Sequence, residues 1–228
     1  MMFQPLLNLY QRVAAKRMFA HWAPVYEEEV AENAYSAADE VAKSVVKHLA
    51  LHGETNSEIT IADIGIGTGL LAQQIYDSMP CRITGIDFSE DMMAACAGRG
   101  ITELLIKCDA GRDHWPMTDG AFRVVMSAGL AEYLTPDMLQ HFLKESTRVL
   151  QQNGFVVFTY IPDNADSRIA WWHGHSGSYL SCSYKPEYVE NLVAQSGLEI
   201  IEHSLPFKGC AFGDGTSYDY RLMTAKKP

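Results

Sequence analysis

The feature that most constrains this chain is an alternation of short apolar runs and helical segments between residues 59 and 160. The runs are rich in β-branched and aromatic residues, whereas several of the segments between them have helical spacing. Strands that alternate with helices form βαβ units, so the pattern predicts a mostly parallel α/β sheet with helices on both faces. The predicted strands are 59–62, 82–86, 104–107, 122–126 and 155–160, and the predicted helices are 70–78, 90–96 and 136–150.

The segments on either side are predicted to complete one domain over residues 1–228. Residues 1–52 are expected to form an N-terminal helical cap, whose last helix starts at the S-x-x-D pattern of Ser36 and Asp39. Residues 162–184, rich in Trp, His, Gly and Ser, are predicted to be an irregular, lid-like insert.

The end of the chain is predicted to add a helix and a strand pair. Pro186 and Gly197 bracket a helical pattern over 186–196. Two apolar runs, 198–205 and 218–225, are joined by a loop that holds Gly209, Gly213 and Gly215. Strands joined in this way are expected to be antiparallel at a sheet edge.

Composition argues against several classes of protein. A formal net charge of −10 disfavours nucleic-acid and membrane partners, since both need clustered positive charge. Five cysteines without a Cys-x-x-Cys pair argue against disulfides and zinc, and favour a reducing cytoplasm. His48 and His52 lie four residues apart without a third ligand nearby, so we expect surface histidines and no metal site. No signal peptide or membrane span is recognised, and we expect a soluble, cytoplasmic protein.

A glycine-rich turn lies between the first strand and its helix. It reads Asp63-Ile-Gly65-Ile-Gly67-Thr-Gly69, and glycines there let a ligand approach the main chain closely. The dinucleotide fingerprint would need glycine at position 70, which is Leu70. An acid before the turn can attract a cationic amino group. A nicotinamide cofactor does not need an acid at this position.

Two more acids stand at the ends of the next two strands. Asp87 ends the second strand, where a carboxylate can accept both hydroxyls of a ribose. Asp109 follows the third strand and can accept from an adenine amino group, while the Ala110 amide can donate to the ring. A single Asp is often a helix cap or turn former. Three acids that end three successive strands indicate one adenosyl ligand.

These segments resemble the class I S-adenosylmethionine-dependent methyltransferases. The likeness covers about residues 59–160, and it rests on IADIGIGTG, ITGIDFSEDMMAAC, LLIKCDA and FRVVMSAGLAEYL. It implies a Rossmann-like sheet of seven strands with a reversed last strand. The upstream run FAHWAPVYEE, with Tyr35, resembles small-molecule methyltransferases of the Williams-Beuren-region type. Phe122-Arg123 departs from the Phe-Asp usual in the family, and no Asn/Asp-Pro-Pro-Tyr motif follows the fourth strand.

The resemblance also implies the site. Asp63 and the glycine loop would hold the methionine part of S-adenosylmethionine, Asp87 the ribose, and Asp109 with Ala110 the adenine. Residues 127–133 would close over the methionine end. The full set of expected cofactor-binding residues is Asp63, Gly65, Gly67, Thr68, Gly69, Asp87, Phe88, Asp109, Ala110, Ser127, Tyr26 and Tyr35.

The expected reaction is in-line transfer of a methyl group to a small-molecule acceptor, with S-adenosylhomocysteine as product. Such a displacement mainly needs alignment and exclusion of water, so no catalytic residue is assigned. His173, His175 and His203 are candidate bases if the acceptor must lose a proton. Two alternatives stay open: a protein that binds the cofactor for regulation or non-methylating chemistry, and a nicotinamide oxidoreductase. The sequence identifies neither the acceptor nor the oligomeric state.

Overall fold

The computed structural model describes residues 4–53, 59–174, 177–211 and 217–228. The helices are α1 (Gln4–Trp22), α2 (Tyr26–Glu32), α3 (Ala37–Leu51), α4 (Leu70–Ser78), α5 (Glu90–Ala97), α6 (Pro136–Val149) and α7 (Pro186–Gln195), with a 3-10 turn at Ala131–Tyr133. The strands are β1 (Ile59–Ile64), β2 (Cys81–Asp87), β3 (Leu104–Lys107), β4 (Phe122–Ser127), β5 (Leu150–Tyr160), β6 (Ser167–Gly174), β7 (Gly177–Tyr184), β8 (Glu199–His203), β9 (Phe207–Ala211) and β10 (Ser217–Lys226).

The main sheet has the strand order β3-β2-β1-β4-β5-β10-β8. Strands β1 to β5 are parallel, and β10 runs antiparallel between β5 and β8. This confirms the predicted Rossmann-like sheet with a reversed last strand. Because the first four strands are parallel, their carboxyl ends meet at one edge, where an open α/β sheet binds ligands.

Apolar side chains cover both faces of the central strands. In β4, Val124 packs into the cluster beneath α3 and α4, whereas its neighbour Val125 packs into the cluster beneath α6 and α7. In β5, Val157 packs into the cluster beneath α3 and α4, and Val156 packs into the cluster beneath α6 and α7. Successive residues of a strand point to opposite faces, so continuous apolar runs produce a strand buried on both sides.

The insert at 162–184 differs from its prediction, because β6 and β7 form an antiparallel hairpin rather than an irregular segment. On β7, Leu180, Cys182 and Tyr184 are buried. They alternate with serines, and this period of two is typical of a strand with one covered face. The polar and glycine residues around them concealed that alternation.

The carboxyl-terminal pair also differs in detail. An extra strand, β9, pairs with β10, and it contains Gly209, which was predicted to lie in a loop. A Cβ at this glycine would stand 1.7 Å from the ring of Tyr220. Glycine is therefore needed here because the tyrosine ring crosses the strand, and not because the chain turns. Gly213 and Gly215 lie outside the described residues.

One local prediction was wrong, and a second holds for the start of α3, which begins at Ala37 directly after Ser36, but not for a side-chain cap. His48 is buried rather than on the surface, and its Nε2 lies 2.8 Å from a carboxylate oxygen of Glu202. The face of α3 that carries it turns toward the sheet. Ser36 does not cap α3 with its side chain, since its hydroxyl donates to the carbonyl of Lys208 at 2.9 Å. His52 is exposed, as expected.

Candidate functional site

A cavity lies at the carboxyl ends of β1 to β4, beneath α1 and α2. Counting its open mouth, it encloses about 980 Å³. The glycine loop and the strand ends form its floor, and the N-terminal helices form its roof. The predicted site residues on its wall are Tyr26, Tyr35, Gly65, Gly67, Asp87, Phe88, Asp109 and Ala110.

The glycine loop presents bare backbone to this cavity. Gly65, Gly67 and Gly69 all have positive φ, at 72°, 57° and 88°, a conformation that other residues adopt only at a cost. A Cβ at Gly69 would also stand 2.8 Å from the sulfur of Cys96. Glycine is therefore required in this loop by the turn and, at Gly69, also by the packing of α5 behind it.

Asp87 holds the loop in place. Its Oδ2 accepts the Gly67 N–H at 2.9 Å, and its Oδ1 accepts the Ser89 N–H at 2.8 Å. Burial raises the pKa of this carboxyl, and the backbone N–H bonds act against that rise. Each carboxylate oxygen has two lone pairs, so the same group can also accept from a ligand in the cavity.

Asp63 lies behind the loop rather than on the cavity wall. It is 2% exposed, and its Oδ2 has no hydrogen-bond partner among the described residues. Burial, followed by the charge of Asp87, raises the pKa of Asp63 well above its usual range. The Thr68 hydroxyl is likewise buried and unpartnered within the described part of the chain. Two orphaned polar groups beside a bare-backbone turn suit a ligand that brings a donor, such as an ammonium group.

Asp109 and Ala110 form a tight turn after β3. Asp109 Oδ1 accepts the Gly111 N–H at 3.2 Å, and the Asp109 N–H donates to Asp113 at 3.0 Å. The indole of Trp115 donates to the Ala110 carbonyl at 3.0 Å. These bonds fix the turn against the same cavity that Asp87 lines.

Four predicted residues do not line the cavity: Asp63, Thr68, Gly69 and Ser127. The Ser127 hydroxyl donates to the Ile64 carbonyl at 2.7 Å, which ties β4 to β1. The structure does not bring His203 to the cavity either. Its Nδ1 lies 2.8 Å from Glu190 and its Nε2 lies 2.7 Å from the Tyr160 hydroxyl, and burial lowers its pKa. His175 and the side chain of His173 lie outside the described residues.

Sequence reasoning missed Glu132, which lies on the 3-10 turn after β4 and lines the cavity. It is 7% exposed, and its Oε2 accepts the Tyr220 hydroxyl at 2.6 Å. Burial raises its pKa to about 8. The signal available in the sequence was a lone acid inside the otherwise apolar run GLAEYL.

The roof of the cavity is aromatic, and sequence reasoning found only part of it. The ring of Phe19 on α1 lies 5.1 Å from Tyr133 and 5.9 Å from Phe88, both edge-on. Trp22 lies edge-on to Tyr26 at 4.8 Å. The remaining lining is mainly small or apolar: Ala15, Val30, Met92, Cys108, Gly111, Ala128, Gly129, Leu130, Leu134 and Met138.

Groups of three or more His, Cys, Asp or Glu side chains placed to hold a metal are absent from the described ranges. Within those ranges, the helices also lack the length and apolar character that crossing a bilayer requires.

Comparison with known proteins places the central region in a family. Residues 61–154 match a family model described as a methyltransferase domain. The malonyl-[acyl-carrier protein] O-methyltransferase of Geobacter sulfurreducens is 32% identical over 135 residues, covering 57% of this chain and 49% of that protein. Human methyltransferase-like protein 27 is 29% identical over 111 residues, covering 49% and 44%. The chain thus spans about half the length of these relatives.

Solved structures share the fold. The 1,6-didemethyltoxoflavin-N1-methyltransferase of Burkholderia thailandensis, solved with 1,6-didemethyltoxoflavin and S-adenosylhomocysteine, aligns with a TM-score of 0.68 at 16% identity, covering 93% of this chain and 88% of that one. The [4+2]-cyclase SpnF aligns with a TM-score of 0.71 at 18% identity, covering 96% of each chain. Family model and fold together confirm the predicted class I methyltransferase resemblance; its Williams-Beuren-type detail stays a prediction.

Proposed function

We propose that this chain, a class I methyltransferase by domain family and fold, binds S-adenosylmethionine and transfers its methyl group to a small-molecule acceptor. The observation that carries this proposal is the convergence of Asp87 and Asp109 on one cavity beside the glycine loop, with the orphaned carboxyl of Asp63 behind it. The donor supplies an activated methyl group whose sulfur leaves as neutral S-adenosylhomocysteine.

Each of these residues has a role in holding the donor. Asp87 would accept the ribose hydroxyls while it fixes Gly67, and Asp109 with Ala110 would hold the adenine. Asp63 and Thr68 would meet the amino end, where an ammonium group would satisfy the buried oxygen and favour the ionised carboxylate. Because the glycines carry no side chain, the loop N–H groups can approach the ligand's carboxylate.

The remaining work of the chain is alignment and exclusion of water. The in-line geometry needs the acceptor opposite the sulfur, and α1, α2 and the turn after β4 enclose that side of the cavity. The aromatic roof of Phe19, Trp22 and Tyr26 keeps the space apolar, which favours a small organic acceptor over a polymer. We also propose a cytoplasmic location, supported by a set of five cysteines that contains no Cys-x-x-Cys pair.

Calorimetric titration with S-adenosylhomocysteine and, separately, with NADH tests donor recognition. We expect saturable binding of S-adenosylhomocysteine at one site and no heat of binding with NADH. Binding of NADH without binding of S-adenosylhomocysteine would replace the proposal with a nicotinamide oxidoreductase.

A second candidate function keeps the donor but transfers no methyl group. The match to a [4+2]-cyclase of the same fold motivates it, although likeness of fold cannot separate the two functions. Incubation with S-[methyl-³H]adenosylmethionine and a metabolite extract does separate them. We expect label in a small-molecule product; tight donor binding without any transferred label would favour the second function.

A further inference from the structure

Glu132 lines the cavity, and the proposed binding of the donor does not use it. One carboxylate oxygen, Oε2, accepts the Tyr220 hydroxyl. The other, Oε1, lies 4.0 Å from the point where a Cβ on Gly129 would stand, and the Tyr35 hydroxyl lies 2.2 Å from the same point. The carboxyl is thus positioned between two tyrosines, on the turn that follows β4 and faces the acceptor side of the cavity.

The charged side chains that the described residues contribute to the cavity wall are acidic. Its ionisable carboxyls are Asp87, Asp109 and Glu132, and no Lys, Arg or His is found among the described residues that line it. An anionic acceptor would enter beside these carboxyls without a cationic side chain to compensate for them, which is unfavourable in a buried site. A cationic or neutral acceptor meets no such penalty.

The aromatic side chains favour the cationic choice. Phe19, Trp22, Tyr26, Tyr35 and Tyr133 all contribute to the wall. Faces of aromatic rings attract ammonium groups, and the same rings pack against an aromatic body. A carboxylate within an aromatic enclosure is therefore a suitable site for an amine carried on a ring.

We propose that the acceptor is a small arylalkylamine whose nitrogen is held by Glu132, an inference that rests on the proposed methyl transfer. The ammonium form of the amine gives one proton to the Glu132 carboxylate. The nitrogen lone pair then forms the N–C bond with the methyl carbon as the C–S bond breaks. The electrons of that bond leave on sulfur, which becomes neutral, and the methylated nitrogen carries the positive charge.

The surroundings of Glu132 suit proton exchange with an amine. Burial raises its pKa to about 8, which lies within a few units of the pKa of about 10 of an alkylammonium group. The titratable groups that face it are Tyr26 from α2, Tyr35 before α3, Cys182 from β7, Cys210 from β9 and Tyr220 from β10. The Tyr220 hydrogen bond opposes the rise in pKa.

Binding of matched probes to the protein loaded with S-adenosylhomocysteine tests the inference without needing turnover. The probes are phenethylamine, 4-ethylphenol and 3-phenylpropanoate, which share a ring and differ in the polar end. At pH 8.5 we expect phenethylamine to bind about tenfold or more tighter than the other two. Glu132→Gln should remove that preference while its Kd for S-adenosylhomocysteine stays within about twofold.

Tyr220→Phe tests the pH dependence of phenethylamine binding, which would not change if the role of Glu132 were purely structural. Loss of its hydrogen bond should raise the pKa of Glu132, so the pH at which phenethylamine affinity reaches half its maximum should shift upward. Equal binding of the three probes, tighter binding of 4-ethylphenol or 3-phenylpropanoate, or an unaltered preference in Glu132→Gln overturns the inference. Failure of the unsubstituted protein to bind S-adenosylhomocysteine is a different result, and it overturns the proposed function.

Discussion

The two sides of the cavity, which we propose to hold the donor and the acceptor, are built in different ways. The donor side consists of turns at the ends of β1, β2 and β3, and short-range bonds fix it, such as Asp87 to Ser89 and Asp109 to Gly111. The acceptor side is assembled from side chains that are distant in the sequence, such as Glu132 and Tyr220, which lie 88 residues apart. The donor side therefore depends on local backbone geometry, whereas the acceptor side depends on how separate elements pack.

The largest expected effect concerns the buried charge of the acceptor side. The free energy of unfolding of the unsubstituted protein should fall, relative to that of Glu132→Gln, as pH rises from 5.5 to 7.5. In this range the folded protein keeps the Glu132 proton, because its pKa is raised from 4.5 to about 8, while the unfolded chain releases it. Stability present at low pH is thus lost as pH rises, by about 1.4 kcal/mol per pH unit, or roughly 3 kcal/mol over this range.

Denaturant unfolding of both proteins at several pH values measures this difference. The raised pKa of Asp63 is common to both proteins and cancels in the comparison. Parallel stability profiles would show that Glu132 ionises normally in the folded protein, and the contrast between the two sides would then lose its electrostatic part.

The second expected effect concerns the donor side alone. Asp87→Ala should weaken binding of S-adenosylhomocysteine by about 1.5–3 kcal/mol, since charged hydrogen bonds to the ligand are lost and Gly67 loses its anchor. Asp91→Ala is the matched control, because Asp91 is an exposed carboxylate in the first turn of α5. Calorimetry that gives the same Kd for both variants would remove Asp87 from the site.

The smallest expected effect separates backbone strain from contact with the acceptor side. Gly129 and Gly100 have nearly the same positive φ, 69° and 68°, but a Cβ meets the Tyr35 hydroxyl at Gly129 and nothing within 4 Å at Gly100. Alanine at either position should cost about 1–2 kcal/mol of backbone strain, and Gly129→Ala should cost more because Tyr35 must move.

Thermal and denaturant unfolding measures the two costs, and calorimetry measures donor binding. We expect Gly100→Ala to keep its affinity for S-adenosylhomocysteine, since Gly100 is not among the residues that line the cavity. Equal losses of stability in the two variants would mean that the Tyr35 side chain moves aside without an energetic cost. The acceptor side would then be less tightly packed than the structure indicates.

The sequence predicted the donor side better than the acceptor side for a physical reason. A strand that ends in an acid beside glycines is a local pattern, so the positions of Asp87 and Asp109 at one sheet edge followed from the alternation of elements. The run GLAEYL marks Glu132 only as a lone acid, and its burial depends on distant partners such as Tyr220. The hidden alternation of β7 and the burial of His48 against Glu202 have the same origin, because distant partners determine them.

The hydrogen bond between Glu132 and Tyr220 has a consequence for the order in which the site matures. During synthesis, every residue that forms the donor side has been made once the turn after β3 is complete. The acceptor side must await β10, whose Tyr220 reaches back to the turn after β4. A nascent or truncated chain that ends before this strand would therefore lack the partner that orients the Glu132 carboxyl, so the proposed recognition of the acceptor is acquired later than that of the donor.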